Sequence, residues 1–138
     1  MSCPSLRNAV LVVVVAGLAL AGPATASAQR IVIPRMSLDM PLVADVDDGP
    51  SLYYEDFDTI AVAAHRTTHG KAFLELPTLR FGDVVRVGRR TFVVRQARIV
   101  RPWEVWVLRY RGLVLSACHP AGSSKYRYVV FAALRHTG

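Results

Sequence analysis

From residue 30 onward the chain alternates between short apolar runs and polar breaks. The runs are rich in Val, Ile, Tyr and Phe, residues that pack well on a pleated sheet. Stretches 31–34, 37–43, 59–64, 83–88, 91–100, 105–109, 113–118 and 127–134 read as eight strands. Between them lie Asp48-Gly49-Pro50, Phe81-Gly82-Asp83, Gly88-Arg89-Arg90 and Pro120-Ala121-Gly122, where Gly and Pro supply turn geometry. Only 72–79 reads as a helical turn, and Pro77 limits it. Strands spaced this way predict an all-β fold, a closed barrel or a sandwich. Alternation then sorts side chains: Val114, Ser116 and Cys118 share one face, and Leu113, Leu115 and Ala117 the other. Arg127 shares a face with Val129 and Phe131, and the short loop 119–126 sets Cys118 and Arg127 side by side on neighbouring strands.

A different pattern precedes residue 30. Residues 8–29 carry no charge, and 9–21 are wholly apolar apart from Gly17. Arg7 lies before the run, and Ala26-Ser27-Ala28 forms a small-residue cleavage site after it. This is the layout of a secretory signal peptide. The uncharged run also just reaches the roughly 20 residues that a membrane anchor needs. The chain therefore divides into 1–28, signal peptide or anchor, and 29–138, a folded domain outside the cytoplasm, secreted or held at the membrane or cell envelope. Cys3 falls in the first part, which leaves Cys118 alone in the second.

With 138 residues the chain holds one domain. Apolar residues make up 52% and charged residues 20%, which excludes intrinsic disorder, and two cysteines exclude a disulfide-stapled mini-protein. The net charge of +7 is segregated, with seven acids between Asp39 and Asp58 and eight arginines between Arg86 and Arg111. Such a block suits an anionic membrane surface or envelope polymer, or is a solvated sheet face. The export signal and the lack of an RNA-reading aromatic motif argue against nucleic acid.

Three stretches carry candidate chemistry. Ile60-Ala-Val-Ala-Ala-His65-Arg-Thr-Thr-His-Gly70 puts a His just past an apolar strand. Leu113-Val-Leu-Ser-Ala-Cys118-His-Pro120 does the same for a Cys, and Arg127 opens the apolar strand that follows. A thiolate is a strong nucleophile, a His can protonate a leaving amine, and a guanidinium can hold an oxyanion. From spacing alone, His65 reads more readily as a hydrogen-bonded structural histidine than as a catalytic one. Thr67 and Thr68 read as turn formers or cleft residues, and Trp103 and Trp106 as core or groove cover. His65 and His69 with Cys118-His119 suggest zinc only weakly, since no helix sets the ligand geometry. Asp45, Asp47 and Asp48 lack a calcium-loop pattern and read as a solvated loop.

Taken together and in order, these stretches resemble the sortase family. The resemblance begins at IVIPRMSLDMPLV and runs through IAVAAHRTTHG, AFLELPTLRFGD and LVLSACHP to KYRYVVFAAL. The CHP and HRTTHG forms are most similar to actinobacterial class E sortases. The resemblance implies an eight-stranded β-barrel with one or two short helical turns, and cysteine transpeptidation. It implies cleavage of an LPxTG- or LAxTG-like sorting motif between Thr and Gly, and transfer of the acyl part to an amine on a peptidoglycan precursor or a pilin lysine. On this sequence Cys118 becomes the nucleophile, His65 the general acid and base, and Arg127 the oxyanion or substrate donor. Ala64, Thr67, Ser116, Ala117 and His119 become candidate substrate contacts, and neither cofactor nor metal is implied. Ala64 stands where the family usually has Gly. Two other functions remain open at this level: a hydrolytic cysteine peptidase, and a non-catalytic basic β-barrel that binds an envelope polyanion.

Overall fold

The computed structural model describes residues 29–136. The expected leader, 1–28, lies outside the described residues. Eight strands are present: β1 (Arg30–Ile33), β2 (Leu38–Pro41), β3 (Ser51–Glu55), β4 (Thr59–Ala63), β5 (Val84–Val87), β6 (Arg90–Val100), β7 (Gly112–His119) and β8 (Tyr126–Leu134). Single 3-10 turns at Pro34–Met36, Leu76–Thr78 and Val105–Arg109 are the only helical elements among the described residues. None of the described helices is long and apolar enough to cross a membrane.

The strands form one curled sheet in the order β2-β1-β5-β6-β8-β7-β4-β3. Every pairing is antiparallel except β4 with β7. The two edges approach where Val43 bridges Ser51, the Val43 N–H donates to the Pro50 carbonyl at 2.9 Å, and the Ser51 hydroxyl donates to the Ala44 carbonyl at 3.1 Å. The fold is the eight-stranded β-barrel expected, with short helical turns.

Two strand assignments change. The run 105–109 is a 3-10 turn, because a local network competes with a sheet ladder: Glu104 accepts the Arg101 N–H and the Trp106 indole N–H. In its place stands β3, whose Ser-Leu-Tyr-Tyr-Glu pattern lacks a clear buried face. It is an edge strand, where charge and exposure are tolerated.

Alternation gives the barrel two apolar layers. The main core joins Ile31 and Ile33, Ile60 and Val62, Val85 and Val87, Leu113 and Leu115, and Val130 and Ala132. Phe73, Leu76 and Leu79, from the connection after β4, pack into the same core. The opposite face of β4, β7 and β8 carries Ala61, Val114, Val129 and Phe131, covered by Val107, Leu108 and Tyr110. A bulge in β6 between Val94 and Gln96 reverses its alternation, so Val94 faces the main core and Val100 the second layer.

Candidate active site

Cys118 and Arg127 are directly opposite partners on β7 and β8. Continuous apolar runs make these central strands, and the alternation read from sequence holds, with Leu113, Leu115 and Ala117 in the main core and Val114 in the second layer. Cys118 is a free, partly exposed thiol near the end of β7. β4 runs parallel to β7 with Ala63 beside Ser116, and the Ala64 N–H donates to the Ser116 carbonyl at 3.2 Å. His65 and Cys118 each lie two residues beyond that aligned pair. The ends of three adjacent strands thus bring Cys118, His65 and Arg127 to one end of the barrel.

The loop after His65 is fixed from two sides. The Phe73 N–H donates to the His65 carbonyl at 3.1 Å, and the Phe73 ring is fully buried in the main core. Arg66, which the sequence did not single out, donates to the Leu74 carbonyl from Nε and one terminal nitrogen, each at 3.3 Å. Its other terminal nitrogen contacts the Cys118 carbonyl and His119 Nδ1, also at 3.3 Å each. One planar guanidinium therefore ties the histidine loop to the end of the cysteine strand.

Asp47, read from the sequence as part of a solvated loop, instead meets the histidine loop. Its carboxylate lies 2.7 Å from His65 Nε2 and 3.7 Å from His69 Nε2. The two imidazole rings are 4.8 Å apart between centroids. The Asp45 side chain accepts the Asp47 N–H at 2.9 Å, an Asx turn that shapes the loop.

A cavity of about 220 Å³ opens beside the strand ends, lined by Ser116, Arg127, Val129, Ala63, Val100 and Tyr53 together with Arg101, Pro102, Glu104, Val105, Val107 and Leu108. Tyr53 is the bulged residue of β3, between Leu52 and Tyr54 in the register with β4. Burial raises its phenol pKa above the ordinary value, and the Ser116 side chain partly offsets that rise. Arg127 donates to the Ser124 and Tyr126 carbonyls at 2.9 and 3.1 Å, which folds its guanidinium onto the β7–β8 loop.

The remaining candidates separate by face. Ser116 lines the cavity, and Thr67 is exposed on the histidine loop. Ala64 and Ala117 are buried in the main core instead. His119 contacts Arg66 and packs against Tyr128 with 5.7 Å between ring centroids. Trp106 stacks on Phe131, whereas Trp103 is largely exposed beneath Arg101.

A family model for the Sortase domain matches residues 31–135. No curated protein matches the sequence significantly. Among solved structures, sortase E1 of Streptomyces coelicolor, solved with a tripeptide in its active site, aligns at TM-score 0.69 and 22% identity, covering 78% of this chain and 87% of that one. Sortase C-1 of Actinomyces oris aligns at TM-score 0.71 and 22% identity over 79% and 74% of the two chains. The SrtA sortase of the same organism aligns at TM-score 0.67 and 21% identity over 82% of each. Sortases are in general cysteine transpeptidases acting on sorting signals and amine acceptors, outside the cytoplasm or at the membrane. With the domain match running from β1 to just past β8, and solved sortases sharing the barrel, this chain belongs to the sortase family.

Proposed function

We propose that the chain is a transpeptidase in which Cys118, His65 and Arg127 act on an LPxTG- or LAxTG-like peptide. The observation that carries this reading is the meeting of Cys118 and Arg127 in register on β7 and β8, with His65 at the end of the parallel neighbour β4. The Cys118 thiolate attacks the Thr carbonyl carbon, and the oxyanion that develops is held by the Arg127 guanidinium. The Thr–Gly C–N bond then breaks, His65 gives a proton to the leaving Gly amine, and a thioester remains. An acceptor amine on a peptidoglycan precursor or pilin lysine attacks the thioester, loses a proton to His65, and releases the thiolate with a new amide. The leader expected over residues 1–28 supports a reaction at the membrane or in the cell envelope.

The test is mass spectrometry of the purified chain with a peptide library of LPxTG and LAxTG variants, with and without an added amine. A thioester adduct on Cys118 and an amide product with the amine are expected. Hydrolysis alone would support the cysteine peptidase reading. Cys118→Ala should form no adduct, His65→Ala should lower turnover about 100- to 10,000-fold, and Arg127→Ala about 100- to 1,000-fold with the fold retained by circular dichroism. Turnover that survives in Cys118→Ala would defeat the proposal. Four of the eight arginines in the basic block have partners within the fold. Arg90 contacts Glu55 at 3.3 Å, Arg111 faces Asp58 at 3.7 Å, and Arg95 and Arg101 lie over the rings of Phe81 and Trp103.

A further inference from the structure

We propose that Asp47, His65 and His69 form a binding site for a divalent transition-metal ion of the zinc class, and that its occupancy silences transfer. The ligand atoms of the three side chains all lie within 4.8 Å of one another. Two neutral imidazoles and one carboxylate suit zinc, nickel or cobalt, whereas calcium and magnesium prefer all-oxygen sites. Geometry is close to what such an ion needs. Bonds of 2.0–2.1 Å at tetrahedral angles set two ligand atoms about 3.3 Å apart. The Asp47 carboxylate oxygen stands 2.7 Å from one imidazole nitrogen and 3.7 Å from the other, on either side of that value. The two imidazoles must draw together, and the exposed His69 ring has the freedom of a broad χ2 torsion to do so.

The backbone aids this convergence. His69, Gly70 and Lys71 all have positive φ, at 49°, 85° and 54°. This left-handed turn carries His69 back against His65. A spacing that looked like loop in the sequence therefore brings two rings and a carboxylate to one point without a helix. Three protein ligands leave a fourth position open for water. The inhibitory half rests on the function proposed above: an imidazole nitrogen given to a metal ion holds the ring on the Asp47 loop and keeps it from moving protons at the sulfur.

The test uses the purified full chain and Zn2+ alone, titrated by calorimetry against a competing chelator. One ion per chain is expected, and Cys118→Ala should bind it equally well. His69→Gln and, separately, Asp47→Asn should each weaken binding at least about tenfold while circular dichroism is unchanged. Substitution with Co2+ should give d–d bands without a thiolate-to-cobalt charge-transfer band. Loss of the ion in Cys118→Ala, or unchanged binding in both ligand variants, would overturn the site. Zn2+ should suppress transfer by wild type, chelator should restore it, and His69→Gln should resist, each rate compared with its own zinc-free rate. Full activity at saturating Zn2+ would overturn the inhibitory half. A chain inactive even with chelator would instead sink the transfer reading, and the calorimetry would still decide the site.

Discussion

Asp47 reaches from the connection after β2 to a ring nitrogen of His65, at 2.7 Å. A carboxylate there fixes the orientation of the ring. On the proposed mechanism, Asp47 is therefore a positioning residue. Asp47→Ala, assayed in chelator, should lower kcat about tenfold with little change in KM, and Asp47→Glu should recover part of the loss. A purely structural role would instead lower Tm in step with activity. Nothing in the sequence distinguishes Asp47 from the six other acids between Asp39 and Asp58, since its partner is set by where the loop crosses the barrel edge. Arg66 was hidden for the same reason: its contacts to Leu74, Cys118 and His119 join segments that are distant in the chain. Cys118 and Arg127 were legible because a short loop between two apolar runs fixes both pairing and facing.

At the level of elements, β7 depends on Gly112. Its φ is +139°, and a Cβ there would lie 2.3 Å from the Ala132 carbonyl oxygen of β8. No side chain fits unless the two strands separate at the end remote from Cys118. Gly112→Ala should cost about 3 kcal/mol or more, from backbone strain and overpacking combined. A thermal melt should show Tm lower by roughly 10 °C or more. Unchanged Tm would show that β7 and β8 can part without loss. The same level explains what sequence periodicity read well and what it misread. Central strands β7 and β8 are apolar over most of their length, so the pattern is loud. β3 is mostly exposed at an edge, so its pattern is faint. The 105–109 segment has strand-like residues, but Glu104 supplies a local alternative.

For the molecule as a whole, Asp83 links distant parts of the barrel. Arg35, in the turn after β1, grips its carboxylate with two nitrogens at 2.7 and 3.0 Å, and the Arg80 N–H donates at 2.8 Å. Burial opposes ionisation of Asp83, but the Arg35 and Arg80 contacts outweigh it and hold the pKa below the ordinary aspartate value. The folded state then binds fewer protons than the unfolded state at acid pH. This stabilisation is complete above the ordinary range near about 4 and drains away as pH falls through the lower folded value. Asp83→Asn should cost about 1.5–3 kcal/mol at neutral pH, and urea unfolding should show the gap to wild type closing on acidification. A gap that stays constant with pH would exclude Asp83 as a source of acid sensitivity.

The parallel pairing of β4 with β7 has one more consequence, for when the chemistry can begin. Parallel neighbours need a long crossover, and here the crossover includes β5 and β6, which are themselves structural members of the wall. Until that wall is assembled, nothing holds the His65 segment beside the Cys118 strand. On the proposed mechanism, peptide capture therefore waits for completion of the barrel.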